Sequence, residues 1–205
     1  MLYDNRIDEA RAKDGRELGS DERDGVVFRT NVGSAQIFGV ESLITANFSN
    51  WFFAEDSNFH WQQFLNTSYT TSEYTESFLP EDAFQENDIV GNEVGFVPKL
   101  NLKTGLELGY KNFKSSFQYT YVSTQFSEAL NRPISPPSGG FFGEIPAYSV
   151  IDFSSEYTFK SWKLEAGINN LLNERYFTRR ATGYPGPGII PSAPRSFYAV
   201  LQFKF

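Results

Sequence analysis

The sequence contains no cysteine, a single histidine and no long run of apolar residues. Without cysteine there can be no disulfide framework, no thiolate metal site and no cysteine nucleophile. The lone histidine, His60, leaves no basis for the usual histidine metal clusters or for most histidine-based catalysis. No stretch approaches the roughly 20 consecutive apolar residues that a membrane-spanning helix needs. The first residues also lack the apolar segment of a secretory signal peptide.

Basic residues are scarce relative to acidic ones. The 205 residues include 18 Lys and Arg against 25 Asp and Glu, which gives a net charge of −7. Nucleic-acid binding requires a basic surface that contacts phosphates, so we expect no nucleic-acid partner. The sequence also has no Gly-x-Ser-x-Gly elbow, no Walker loop and no histidine metal motif. We therefore predict that the chain is not an enzyme and carries no cofactor.

Aromatic residues are abundant. They make up 17% of the sequence, with 21 Phe, 11 Tyr and 3 Trp, although the apolar total is only 40%. So many rings must enter a core or another apolar phase, which argues against a disordered chain. A membrane β-barrel, which crosses the bilayer with strands, is compatible with both the rings and the lack of apolar runs.

Seven segments alternate apolar and polar residues with a period of two, which is the pattern of a β-strand. In the last of them, Phe197, Leu201, Phe203 and Phe205 share one face, whereas Ser, Gln and Lys residues lie on the other. Most are near the nine to eleven residues that a tilted strand needs to cross a bilayer. The predicted strands are 32–46, 61–74, 99–110, 115–123, 149–159, 162–170 and 195–205.

The predicted connections alternate in length, which is typical of outer-membrane barrels with short turns at one end and long loops at the other. The short or moderate connections are 111–114, 160–161 and 50–58, and the long ones are 4–25, 76–98, 125–147 and 178–194. Because one row of side chains is apolar and the other polar, we predict that the first faces lipid and the second an aqueous lumen.

Aromatic residues near predicted strand ends suit the interfacial girdles of such a barrel. Ordinary cross-strand packing is the alternative interpretation of each ring. The residues concerned are Trp61, Tyr74, Tyr110, Trp162 and Tyr176.

Four segments, in order along the chain, resemble strands of TonB-dependent outer-membrane receptors. NVGSAQIFGVE (31–41) resembles a barrel strand of the pattern Asn-x-Gly, then Gly-x-Glu, and IPAYSVIDFSSEYTF (145–159) resembles a strand that opens with Ile-Pro-x-Tyr and carries an Asp. LEAGINNLLNERYF (164–177) is similar to the penultimate strand end, with Asn-Asn-Leu followed by Tyr. PRSFYAVLQFKF (194–205) resembles the final strand, whose terminal Phe the barrel assembly machinery recognises.

The resemblance implies an all-β fold, an antiparallel up-and-down transmembrane β-barrel in the bacterial cell outer membrane. Residues 1–205 would form its carboxy-terminal part, with about seven to eight of some 22 strands, the eighth being represented by its tail at Leu2 to Tyr3, and the plug domain would be absent. The implied function is uptake of an iron chelate, either iron(III) dicitrate or another siderophore. TonB and the plug would act only through parts of the receptor outside this sequence. Outer-membrane lipid and the assembly machinery are the remaining implied partners.

Two groups of residues are candidate sites under this resemblance. The loop at 179–195 resembles that of the ferric dicitrate branch, and Arg179 and Arg180 are adjacent guanidinium forks suited to binding carboxylates. Tyr184 could close over such a ligand. Alternatively, one arginine caps acidic lumen residues while the other is solvated, and the Gly and Pro residues only stiffen a surface loop. The assembly signal would comprise Phe197, Leu201, Phe203 and Phe205.

We expect no metal site. His60 is expected to be structural rather than an iron ligand. Carboxylates that could bind Ca²⁺ lie in one long connection, but their spacing does not fit a compact site and favours a solvated acidic lip. These residues are Glu81, Asp82, Glu86, Asp88 and Glu93.

The rival function is a soluble β-rich module that binds a carbohydrate or another ligand. It would account for the aromatic residues and the acidity. It explains neither the segregation of short and long connections nor the terminal aromatic residue, Phe205.

Overall fold

The computed structural model describes residues 32–54, 57–78, 88–135, 140, 142–181 and 188–205. These contain eleven strands and one helix of a single turn, α1 (Ser49–Phe52). The strands are β1 (Gly33–Asn47), β2 (Phe59–Ser77), β3 (Leu100–Tyr110), β4 (Phe113–Val122), β5 (Gln125–Phe126), β6 (Glu144–Ile145), β7 (Tyr148–Phe159), β8 (Trp162–Asn169), β9 (Phe177–Ala181), β10 (Gly188–Pro191) and β11 (Ser196–Phe203).

Seven strands form one antiparallel sheet in the order β1-β2-β3-β4-β7-β8-β11. The predicted all-β, antiparallel fold and its seven long strands are confirmed. The predicted position of an eighth, at 2–3, lies outside the described residues. Two small pairs, β5 with β6 and β9 with β10, lie in the long connections. The sequence did not predict them, because strands of two to five residues are too short to show a period of two.

The turns and the loops lie at opposite ends of the sheet, as predicted. Two-residue turns join β3 to β4 at Lys111 and Asn112, and β7 to β8 at Lys160 and Ser161. We call this end the turn edge, and the end that carries the long connections the loop edge. The link from β1 to β2, which contains α1, also lies at the turn edge.

The cross-strand register aligns apolar residues into rows on one face, which we call the outer face. One row runs from β3 to β11 through directly paired positions. The ring centroids of two of its members, Phe117 and Phe153, lie 4.6 Å apart. The row consists of Leu106, Phe117, Phe153, Ile168 and Phe197.

The opposite, inner face carries charged and hydrogen-bonded side chains. Glu107 Oε1 lies 3.1 Å from His60 Nε2 and 3.7 Å from Lys114 Nζ. Lys163 Nζ lies 2.7 Å from Glu156 Oε2. His60 therefore contacts a neighbouring carboxylate.

Neither face is uniform in polarity, since Ile37 and Leu43 of β1 lie exposed on the inner face. On the outer face, the hydroxyls of Ser115 and Ser155 lie 2.8 Å apart and satisfy each other. On the inner face the ring of Tyr198 lies over Gly167, where a Cβ atom would approach Tyr198 Cε1 to 2.4 Å. The absence of a side chain at Gly167 leaves room for the ring in this position.

A belt of aromatic residues follows the turn edge on the outer face. Direct pairing continues from Phe59 to Tyr110, Phe113 and Tyr157. Trp162 pairs with both Phe159 and Phe203, and its ring lies 4.6 Å from that of Phe203. The predicted girdle positions Tyr110 and Trp162 lie in this belt.

The predictions for Tyr74 and Tyr176 as girdle residues are wrong. Tyr74 is only 2% exposed and packs in a small core at the loop edge. Tyr176 stacks on Tyr148, with 4.4 Å between the ring centroids. Both rings are used within the loops, because the long connections fold back over the strand ends.

The buried hydrophobic residues of the described chain lie at the loop edge and not on the outer face of the sheet. Val32, Tyr74, Ile89 and Ile145 are the buried apolar side chains. In contrast, outer-face residues such as Phe38 and Leu201 are 67% and 64% exposed. A sheet with an uncovered apolar face is not stabilised by a protein core, so this face requires an apolar surrounding.

Candidate functional site

The long connections at the loop edge pack together through a small apolar core. Val32, Tyr74 and Ile89 form its buried centre. Val94, Ala129 and Leu130 pack against it from the connections that follow β2 and β4. Two loops distant in sequence are thereby held against the end of the sheet, which gives this edge a defined surface.

Asparagine side chains reinforce the contact between these two loops. The Asn131 side-chain oxygen accepts a hydrogen bond from the Glu93 backbone N–H at 2.6 Å, and its amide nitrogen donates to the Glu93 carbonyl at 2.9 Å. The amide of Asn92 donates to the Ala129 carbonyl at 3.0 Å. The paired bonds of Asn131 reproduce those of a strand partner and fix the spacing of the loops.

An ion pair orders the second of these loops, which joins β4 to β7. Arg132 Nε and Nη2 each lie 2.6 Å from an oxygen of the Glu128 carboxylate, which is a bidentate ion pair. The Arg132 guanidinium also lies 3.7 Å from the centre of the Phe142 ring. Such planar, two-point contacts define the direction of an arginine side chain more tightly than a single ion pair does.

Arg180 connects a third long loop, which joins β8 to β11, to the second. Its Nη1 donates to the Gly140 carbonyl at 2.8 Å, and its Nη2 donates to the Glu144 carbonyl at 2.8 Å. The guanidinium also lies 5.1 Å from the centre of the Phe177 ring. Partial burial lowers the pKa of Arg180 from its ordinary value, although a guanidinium remains charged at neutral pH.

Arg179, its neighbour, has a different environment. Its side chain is exposed, and no hydrogen bond or ion pair joins it to the described residues. Because successive residues of a strand point to opposite faces, the two guanidinium groups of β9 do not act as one fork. The third predicted ligand residue, Tyr184, lies outside the described residues.

Asn170 is a site residue whose role the sequence did not show. It is 3% exposed, and its amide nitrogen donates to the carbonyls of Glu174 at 2.9 Å and Ala193 at 3.3 Å. Its own backbone N–H donates to Asp152 Oδ1 at 2.8 Å. These bonds tie the beginning and the end of the third loop to β7. The signal was present as Asn-Asn-Leu after one strand and an Asp in another, but only the fold shows that they meet.

The acidic residues do not form a metal site among those described. Asp88 accepts a hydrogen bond from the Val90 backbone at 2.9 Å, and Glu93 forms an ion pair with Lys99. Within 32–54, 57–78, 88–135, 140, 142–181 and 188–205, no group of three metal-binding side chains is found. The other three candidates, Glu81, Asp82 and Glu86, lie outside these ranges.

A depression lies at the turn edge of the sheet. Its volume is about 430 Å³, and its lining includes Lys163, Trp162 and Phe205. It lies at the opposite end of the strands from the loops, so it is separate from the arginine residues of β9. No helix in the described part of the chain is long and apolar enough to span a membrane.

Comparisons with known proteins agree on one architecture. The family model described as TonB dependent receptor-like, beta-barrel matches residues 2–171. The structure of the unliganded ferric citrate transporter FecA is similar, with 21% identity and a TM-score of 0.69, over 83% of this chain and 24% of FecA. The siderophore receptor PiuA from Acinetobacter baumannii has 21% identity and a TM-score of 0.59, over 82% of this chain and 22% of PiuA.

The ferric yersiniabactin uptake receptor FyuA from Yersinia pestis is also similar, with 18% identity and a TM-score of 0.61, over 85% of this chain and 24% of FyuA. The chain therefore spans about a quarter of the length of these solved structures. No curated protein shows significant sequence similarity.

The family model covers most of the chain, and the sheet has the antiparallel order and segregated connections of its barrels. Proteins of this family are receptors of the bacterial outer membrane and not enzymes. Their short turns face the periplasm and their long loops the exterior, which assigns the turn edge and the loop edge to the two sides. The chain belongs to the TonB-dependent receptor-like β-barrel family.

Proposed function

We propose that residues 1–205 form the carboxy-terminal part of the barrel of a longer outer-membrane receptor. Within the described residues, β1 and β11 each pair on one side only. Unpaired backbone groups are not tolerated in a bilayer, and barrels avoid them by closing the sheet. The two open edges therefore require further strands. The rival hypothesis of a soluble β-rich module is not supported, because the outer face has no protein cover.

The receptor takes up an iron chelate, with energy supplied by TonB through a plug domain in the rest of the protein. Three similar structures are those of a ferric citrate transporter (FecA), a siderophore receptor (PiuA) and a ferric yersiniabactin uptake receptor (FyuA). The fold does not determine the cargo, because the copper transporter OprC is similar too, with 18% identity and a TM-score of 0.56. The substrate must be inferred from the loop edge itself.

Arg179 is the observation that supports iron(III) dicitrate as the cargo. Its guanidinium is exposed at the loop edge and is not engaged by the described residues. A citrate complex presents carboxylates, which guanidinium groups bind through charge-assisted hydrogen bonds. Arg180 supports the same site indirectly, because its bonds to Gly140 and Glu144 hold β9 in place. Arg179 is thus proposed to contact the ligand, and Arg180 to position the hairpin.

Arg179→Gln is expected to weaken binding of iron(III) dicitrate to the purified full-length receptor about tenfold, the loss of roughly one charge-assisted hydrogen bond. The matched control is Arg175→Gln, which removes another exposed arginine of the same loop and should leave the affinity unchanged. Calorimetric titration of each variant with the iron complex measures the difference.

Two outcomes would contradict parts of this proposal. Equal effects of Arg179→Gln and Arg175→Gln would indicate a general attraction of the anion rather than a site at Arg179. Binding of a catecholate siderophore with no binding of the dicitrate would exclude the citrate complex while leaving an iron-chelate receptor in place.

A further inference from the structure

The connection between β1 and β2 carries a compact group of aromatic rings, which we call the foot: Phe48, Trp51, Phe52, Phe53, Phe59 and Trp61. Phe48 lies 4.8 Å from Trp61 and 5.3 Å from Trp51, measured between ring centroids. Phe52 stacks on Trp61 at 5.7 Å. Phe53 and Phe59 form a second pair at 4.4 Å.

Hydrogen bonds hold the foot in a fixed position on β2. The Phe48 backbone N–H donates to the Trp61 carbonyl at 2.8 Å. The Trp61 backbone N–H donates to the Ser49 hydroxyl at 2.6 Å, and Ser49 begins the single turn of α1. The rings of this turn are therefore placed by the backbone and not by chance contacts of a loose loop.

The foot lies on the outer face of the sheet. Trp61 pairs directly with Leu108, and Phe59 pairs with Tyr110. Both partners belong to the apolar outer rows, and Tyr110 is part of the aromatic belt at the turn edge. Because Phe48 and Phe52 stack on Trp61, the helical turn extends the lipid-facing surface beyond the end of the strands.

The foot is far from fully covered by protein. Trp51 is 73% exposed, Phe52 is 64% exposed and Phe53 is 37% exposed. Leaving apolar rings in water costs free energy in proportion to their area. Aromatic residues flank the lipid-facing band of outer-membrane barrels at both interfaces, and tryptophan in particular is enriched at the interface between membrane and water.

We propose that the foot inserts into the periplasmic leaflet of the outer membrane, where it anchors the β1–β2 connection among phospholipids. Because the surface of the foot is continuous with the aromatic belt, lipid rather than another protein covers it. Tight turns such as that at Lys111 and Asn112 instead project charged and polar groups into the periplasm. The inference depends on the outer-membrane location of the family and not on the iron chelate.

The test uses the full-length receptor in nanodiscs, with a single cysteine labelled by bimane. The label is placed at Ala54, which is exposed and directly follows Phe53 of the foot, so no ring is removed. Phospholipids brominated near the headgroup should quench the label at Ala54 several-fold more than a label at Asn112 in the tight turn. Aqueous iodide should show the reverse order. Changing Trp51 and Phe52 together to serine should make the label at Ala54 behave like that at Asn112.

Other outcomes would overturn the proposal in distinguishable ways. Iodide quenching at Ala54 equal to that at Asn112 would place the foot in water. Protection of Ala54 from both quenchers would show that protein covers the foot. A third label at Ala199, in an outer-face row of β11, reports the membrane position of the barrel. Lack of lipid quenching at Ala199 would contradict the location of the sheet in the membrane. Lipid quenching at Ala199 but not at Ala54 would contradict only the proposed insertion of the foot.

Discussion

Phe117→Arg is expected to destabilise the inserted receptor by about 2 to 4 kcal/mol, the cost of an arginine on the lipid face near the bilayer midplane. Phe117 lies on the outer face near the middle of β4 and is 42% exposed. The change also removes its ring contact with Phe153 at 4.6 Å. The shift is measured as the midpoint of urea unfolding in lipid vesicles.

Gln118→Arg is the matched control, because it introduces the same charge one residue away on the inner face. Gln118 pairs directly with Asp152, so the new guanidinium lies beside a carboxylate. We expect a change of no more than about 0.5 kcal/mol, as is usual for substitutions at accessible positions. Equal damage from the two variants would show that the assignment of faces is wrong.

Phe205→Ala is expected to remove most of the receptor from the cell surface while leaving the stability of the folded barrel almost unchanged. The side chain is fully exposed and lies beyond the end of β11. Its nearest described ring is that of Phe203, at 6.3 Å. We therefore expect a change in unfolding free energy below about 0.5 kcal/mol.

The loss of surface receptor follows from the proposed assembly signal, Phe197, Leu201, Phe203 and Phe205, which would be recognised before insertion. Surface labelling gives the abundance, and urea unfolding of the purified protein gives the stability. Lys204→Ala is the control, since Lys204 is adjacent and its backbone bond to Ser161, at 2.9 Å, is retained. Normal abundance of the Phe205→Ala receptor would contradict a role in assembly.

The long strands could be predicted because each is long enough to show its alternation. The prediction for β3 matches the structure to within one residue, at Leu100–Tyr110. The single turn of α1 could not be predicted, because Ser49–Phe52 is too short for a helical period. For the same reason the sequence indicates only one residue of the foot, Trp61, as a girdle residue.

The loop edge was less predictable because its contacts join residues far apart in sequence. The period of two placed Tyr74 correctly in a strand, but nothing in that strand showed that Ile89 would fold over the ring. Arg180 was identified as a guanidinium fork, yet its acceptors are carbonyls 36 and 40 residues away. The alternation of residues along a strand predicts which face a side chain lies on, whereas its contacts depend on how loops distant in sequence pack against the strand.

The most direct test of the central claim is oxygen accessibility along β11 of the full-length receptor in lipid. Spin labels are introduced one at a time from Ser196 to Phe203, and the collision rate with oxygen, which concentrates in the bilayer interior, is measured for each. A strand with one face in lipid should give maxima at Phe197, Ala199, Leu201 and Phe203, with minima between them. Uniform accessibility, or maxima at the alternate positions, would contradict the account of this sheet as part of an outer-membrane barrel.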